Sequence, residues 1–240
     1  MTDDARRVLD DYRPMTDAYA EDADHNPCQA SYERPALLAM AGDVAGLRIV
    51  DVGCAAGPLT EMLVERGAQV VGVDLNPRFI ELARVRLGGR ATFHVADIAE
   101  PLPFLGTGAF DIVIASLVLH YLRDWGPPLR EFARALRPGG LLLISTNHPT
   151  KDMVLAEPGA SYFETMLLTD TWDKGGREHT VRFYHRPLGK IVDGLADPGF
   201  LIERILEPIP ERAAFAGSEA FYEQMIKGPH FLFIRAVRRD

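Results

Sequence analysis

Residues Asp51–Leu63 read DVGCAAGPLTEML. The run LRIV (47–50) leads into them, small residues crowd the middle, and a segment with helical spacing follows. This is the pattern of a buried strand that enters a tight turn and leaves along a helix. Pro58 sits near the helix start and Gly67 just past its end, the usual asymmetry of proline and glycine about a helix. Turns of this form at the carboxyl edge of a sheet hold nucleotide-like ligands. A dinucleotide turn requires G-x-G-x-x-G. Counted from Gly53, the three positions hold Gly53, Ala55 and Pro58, so two fail. Counting from Gly57 fails too. The turn points away from NAD.

The alternation continues outward. AQVVGVDL (68–75) reads as a second strand, ATFHVADI (91–98) as a third, and FDIVIASLVLHYL (110–122) begins as a fourth. LLLISTNH (141–148) is the fifth. Between them lie two helices. NPRFIELARVRLGG (76–89) has Asn76 as N-cap and Pro77 at its first position. WGPPLREFARALRPGG (125–140) ends in a Pro-Gly-Gly turn. Strands apolar on both faces and alternating with helices predict a doubly wound α/β fold with a mostly parallel sheet.

The flanks read differently. Residues 3–41 are mostly helical, broken by Pro14, Pro27 and Pro35. After Pro149 the rhythm stops, and residues 151–180 carry aromatic, acidic and glycine residues without a regular element. Beyond them HTVRFYHR (179–186) alternates as a strand, 187–199 is a helix, 200–209 a strand, 217–228 a helix and 230–239 a final strand. The simplest division is one domain, 1–240. Its parts are a helical cover (1–45), a binding core (46–147), a covering insertion (148–187) and the rest of the sheet (188–240).

Composition narrows the function. A net charge of −8 argues against a nucleic-acid substrate, because phosphate polymers call for a basic field. Two cysteines, Cys28 and Cys54, form no disulfide framework and no CxxC pair. Cys54 reads as a small apolar filler rather than a nucleophile. The acidic N-terminus lacks a signal-peptide core, and no apolar run is long enough to span a membrane. The expectation is a cytoplasmic protein, monomer or homodimer, without a membrane partner.

The stretch from Asp51 resembles motif I of the class I S-adenosylmethionine (SAM) methyltransferases, an acidic residue followed by x-G-x-G-x-G. Asp51, Gly53 and Gly57 match, and Ala55 replaces the middle glycine. Asp74 follows Asp51 by 23 positions at the end of strand two. Asp97 ends strand three in ADI, FDIVIASLVLHYL resembles motif IV, and LRPGG precedes strand five. The resemblance covers most of the chain from Leu47 onward. It implies a seven-stranded sheet with the last strand antiparallel, SAM as cofactor and S-adenosylhomocysteine as product.

It also implies roles. Asp74 accepts from the ribose hydroxyls, Leu75 packs on adenine, and Asp97 with the Ile98 backbone reads the adenine amino group. Asp51, Gly53, Cys54, Ala55, Gly57 and Ser116 border the cofactor. Ala55 is expected to keep ordinary backbone angles. Tyr19, Tyr32 and Arg34, in the cover, are candidates for the methionine end, Arg34 through its carboxylate. His120 after strand four and His148 at the end of strand five are the candidate catalytic or orienting groups, since both fall at the carboxyl edge. On the strand at 179–186, one face carries His179, Val181, Phe183 and His185 and the other Arg182, Tyr184 and Arg186. Either row is a candidate pocket wall. The histidines lack metal-ligand spacing, so no metal is expected.

The functional expectation is methyl transfer to an oxygen or nitrogen of a small molecule. The alternatives are aminocarboxypropyl transfer or cyclisation on the same fold, or a non-catalytic SAM-binding regulatory protein.

Overall fold

The computed structural model describes residues 1–216 and 219–239. Strand β1 (Arg48–Val52) runs into the turn at Gly53 and on into helix α4 (Pro58–Glu65). Before it stand α1 (Asp3–Tyr12), α2 (Thr16–Ala23), a π-helical turn (Cys28–Glu33) and α3 (Arg34–Ala41). After it come β2 (Gln69–Asp74), α5 (Pro77–Leu87), β3 (Thr92–Val95), β4 (Phe110–Ser116), α6 (Gly126–Ala135) and β5 (Leu136–Asn147). The chain then makes a short helix α7 (Pro149–Asp152), strands β6 (Met166–Lys174) and β7 (Arg177–His185), α8 (Leu188–Ala196), β8 (Phe200–Leu206), α9 (Glu219–Met225) and β9 (Phe231–Arg238).

Seven strands form one sheet in the order β3-β2-β1-β4-β5-β9-β8. The pairs β1–β2, β2–β3, β1–β4 and β4–β5 are parallel. β9 runs antiparallel to both β5 and β8, as the resemblance implied. Neighbouring residues on the central strands feed opposite cores. Ile49, Ile112 and Ile114 pack on the side of α3 and α4, whereas Val50, Val113 and Ala115 pack on the side of α6 and α8. Both faces are dry, which is why these strands read as continuous apolar runs.

Two segments depart from the sequence reading. The LRPGG turn does not precede β5 but sits inside it, because Phe110 pairs with Leu136 before the register shifts and Ile112 pairs with Leu141. Residues 166–174, expected to be irregular, form β6, which pairs with β7 in a separate hairpin. Its turn is Gly175-Gly176, with φ of +63° and +71°. Two left-handed residues in a two-residue loop are the hairpin connection that matches strand twist. The expected helix at 217–228 begins, among the described residues, at Glu219, while Gly217 and Ser218 lie outside them.

The hairpin braces the helical cover. Arg182 pairs with Asp11 of α1 at 2.6 Å, the Arg182 carbonyl accepts from Arg7, and the Tyr184 hydroxyl donates to Asp4 at 3.0 Å. The opposite row, Val181, Phe183 and His185, is buried. Neither row lines the main cavity.

Candidate cofactor site

Where β1, β2 and β4 end, the chain leaves a cavity roofed by α1, α2 and the π-helical turn. Its floor is the turn after β1. Gly53 has φ +71°, and a Cβ there would lie 2.7 Å from the Val118 Cβ. Only glycine fits that approach. Gly57, at φ +82°, begins α4 but does not line the cavity. Its role is to turn the chain where a Cβ would come within 3.1 Å of Leu87.

Ala55 does not keep ordinary angles. Its φ is +47°, the region where L side chains cost roughly 1–2 kcal/mol. Its N–H donates to Asp74 at 2.9 Å, which holds the turn in place. Leu117, at φ +46°, is the other described non-glycine residue with positive φ. Both line the cavity, so backbone strain gathers at this site.

Four carboxylates bear on it. Asp74 accepts from the backbone of Ala55 and, at 2.8 Å, of Asn76. Burial outweighs these bonds and pushes it up to about 6. Asp97 accepts from Ala99 N at 3.0 Å on one oxygen, and on the other from the Thr2 backbone and hydroxyl, both at 2.9 Å. Thr2 is also the N-cap of α1, so the cover is tied to the carboxylate expected at the adenine end. Asp51 accepts from the Thr60 hydroxyl at 2.6 Å, and burial pushes it up to about 7. Glu33 accepts from the hydroxyls of Ser116, at 2.8 Å, and Ser145. Burial raises its pKa against those bonds and against Arg34.

Two buried polar atoms at the cavity, Asp51 Oδ1 and Arg34 Nε, have no partner among the described residues. Arg34 Nη2 donates to the Ala23 carbonyl at 2.5 Å, and burial lowers the guanidinium's pKa. An unpaired buried atom costs roughly 1–3 kcal/mol, and two in one cavity mark groups that a ligand completes.

The remaining sequence candidates divide. Tyr19, Leu75, Ile98, Ser116 and Cys54 line the cavity. The Tyr19 hydroxyl accepts from Gln29 at 2.8 Å, and burial pushes the Cys54 thiol well up, as an inert filler requires. Tyr32 does not reach the cavity. Its ring stacks on Phe231 at 5.6 Å and its hydroxyl donates to the Pro208 carbonyl at 2.6 Å, because the π-helical turn sends it toward β9. His148 is also outside. It caps α7 through Thr150 and contacts Glu207 at 2.7 Å. His120 is buried between Tyr121 and Phe183, with Nδ1 3.4 Å from the Thr146 hydroxyl. Burial pushes it down to about 3. It is neutral near pH 7 and a weak base, far from the matched pKa that general-base catalysis favours. Among the described residues, no three His, Cys, Asp or Glu side chains converge as metal ligands would.

Sequence reasoning missed Glu33, Tyr12 and Tyr121. The last two hydroxyls meet at 2.5 Å beside the cavity. Nothing local marks a glutamate in SYERPAL as buried. The overlooked β6 did carry a signal, the Gly-Gly pair between two alternating segments.

Known proteins resemble this chain in sequence and in fold. Residues 50–144 match the family described as methyltransferase domain. A ubiquinone biosynthesis O-methyltransferase from Xanthomonas oryzae pv. oryzae is 36% identical over 146 residues, 59% of this chain and 59% of that protein. The match thus spans about three fifths of the relative's length. A solved S-adenosylmethionine-dependent methyltransferase from Mesorhizobium loti is 29% identical, covers 85% of this chain and 96% of its own, and superposes with a TM-score of 0.68. Over residues 50–144 and in its fold, the chain is thus similar to S-adenosylmethionine-dependent methyltransferases. The 1,6-didemethyltoxoflavin-N1-methyltransferase of Burkholderia thailandensis shares the fold at 19% identity, TM-score 0.62, over 98% of this chain and 87% of that one. Against that resemblance, Ala55 is the departure in motif I, and its left-handed backbone keeps the shape that glycine would take.

Proposed function

We propose that this chain transfers a methyl group from SAM to an oxygen or nitrogen of a small-molecule acceptor. The observation that carries the reading is the cavity itself. A glycine turn, two carboxylates suited to ribose and adenine, and the unpartnered Arg34 and Asp51 share one pocket under a helical cover. In this reading Asp74 holds the ribose, Leu75, Asp97 and Ile98 hold adenine, and Arg34 meets the methionine carboxylate. The cofactor supplies a methyl on a sulfonium, which is already activated. The chain's own work is to align the acceptor and exclude water. The low basicity of His120 supports positioning rather than imidazole base catalysis.

The O-methyltransferase relatives support an oxygen acceptor. We treat residues 1–240 as one catalytic domain, with 1–45 as cover, 46–147 as cofactor core, 148–187 as covering insertion and 188–240 as the completing strands. Two free thiols fit a reducing cytoplasm. No helix among the described residues is long and apolar enough to cross a membrane. A monomer or homodimer is expected, to be checked by sedimentation.

The test is a screen of candidate metabolites with radiolabelled SAM, read as S-adenosylhomocysteine release. Release of methylthioadenosine instead identifies aminocarboxypropyl transfer. Binding of NADH and not SAM overturns the reading.

A further inference from the structure

We infer that Glu33, paired with Asp51, binds the α-ammonium group of the cofactor's amino-acid end, which makes Glu33 a cofactor-binding residue contributed by the helical cover. The inference rests on the proposed SAM reading and specifies that same site.

The argument starts from charge. Glu33 and Asp51 are each 1% exposed, and Arg34 is 6% exposed. All three line one cavity. Each also has capacity left over. Both serine bonds fall on Glu33 Oε1, and Oε2 accepts nothing among the described residues. Asp51 Oδ1 and Arg34 Nε have no partner among the described residues. An unpartnered buried carboxylate oxygen on Asp51, a free oxygen on Glu33 and an unpartnered buried guanidinium nitrogen on Arg34 call for a ligand that carries both a cation and an anion. An α-amino acid moiety is such a ligand. Its carboxylate answers Arg34, and its ammonium, with three donors, answers two carboxylates at once.

Position supports the pairing. Asp51 lies on β1 beside Ile114 of β4. Glu33 reaches the same edge from above, through Ser116 and Ser145, which are direct neighbours across β4 and β5. The Ser145 hydroxyl also accepts from Leu117 N at 3.1 Å, and Leu117 is one of the two strained residues. Glu33 is thus held by the strand ends rather than by its own turn. The π-helical turn matters here. The last residue of the turn, Glu33, and the first of α3, Arg34, reach one cavity with opposite charges, so a short piece of the cover reads both ends of the zwitterion. Nothing in motif I supplies this second carboxylate.

The test uses calorimetry with S-adenosylhomocysteine, its analogue lacking the α-amino group, and 5′-methylthioadenosine, which lacks the whole amino-acid end. In the wild type, loss of the amino group should weaken binding about 10–100-fold. Glu33→Gln should weaken S-adenosylhomocysteine by a similar factor, leave methylthioadenosine within about twofold, and leave the deamino analogue nearly unchanged. Glu33→Asp, which keeps the charge on a shorter arm, should recover part of the loss. If Glu33→Gln weakens all three ligands equally, the residue is structural and the inference is overturned. If wild type binds the deamino analogue as well as S-adenosylhomocysteine, it is overturned without any variant, so misfolding of the variants does not protect it. Wild type that binds S-adenosylhomocysteine while Glu33→Gln binds it equally well sinks only this inference. Wild type that binds none of the three sinks the cofactor reading along with it.

Discussion

Over β1, β2 and β4 the sheet edge leaves buried charge open, with Asp51 Oδ1 and Arg34 Nε unpartnered. Over β5 and β7 the histidines are mostly engaged within the protein. His148 bonds Thr150 and Glu207, and His185 Nε2 donates to the Tyr162 carbonyl at 2.8 Å while Nδ1 faces Asp152 at 3.9 Å. The two regions bury polar side chains to similar depth. They differ in where the open atoms lie: Asp51 Oδ1 and Arg34 Nε belong to residues that line the cavity, whereas the open atoms of the second region, His185 Nδ1 and Arg186 Nε, belong to residues that do not. An orphaned buried group costs roughly 1–3 kcal/mol, so openness points to a candidate ligand site where the open atoms also border a cavity, as at Asp51 and Arg34.

The sharpest way to break this comparison is Asp74→Ala. The carboxylate holds Ala55 and Asn76 and is expected to hold two ribose hydroxyls, so cofactor affinity should fall by ~3–6 kcal/mol. Calorimetry that finds unchanged affinity removes Asp74 from the site.

Asp51→Asn tests the price of keeping a charge open. Its carboxyl titrates about 7 in the fold against an ordinary 3.8. A raised acid pKa means the folded state holds the proton more tightly. Stability without cofactor should therefore be greatest below pH 4, decline through pH 4–7, and stay low above 7. The Asn variant should be about 4 kcal/mol more stable than wild type at pH 8, with the gap closing by pH 4, and should bind SAM more weakly. Urea melts showing parallel pH profiles contradict this assignment.

Arg34→Met keeps bulk and removes charge. SAM affinity should drop by ~1.5–3 kcal/mol, whereas 5′-methylthioadenosine should bind as before. Equal losses indicate packing.

On the paired side, His148→Ala should cost about 1–2 kcal/mol of stability through the lost cap and its partners and leave cofactor affinity intact. A large affinity loss would return His148 to the site.

The smallest effect is expected at Ala55→Gly. Relief of the left-handed strain is offset by greater freedom of the unfolded chain, so stability should change by about 1 kcal/mol or less, with cofactor affinity preserved. A large affinity change would show that the Ala55 methyl group touches ligand.

Much of the molecule was legible before any coordinates. Strand alternation, the Asp51–Gly57 turn, and Asp74 and Asp97 at strand ends follow from local pattern, because a parallel sheet delivers every strand's carboxyl end to one edge. The hairpin was legible too, had Gly175-Gly176 been read as a turn between two strands. What local pattern could not decide was the direction and company of side chains outside the core repeat. Tyr32, Glu33 and Arg34 are adjacent in sequence, yet the π-helical turn sends Tyr32 to Phe231 and the next two to the cavity. His120 and His148 both reach the expected edge, but burial makes one a weak base and a cap engages the other. Backbone period belongs to a few neighbouring residues. Burial, pairing and pKa belong to whatever the rest of the chain places around them.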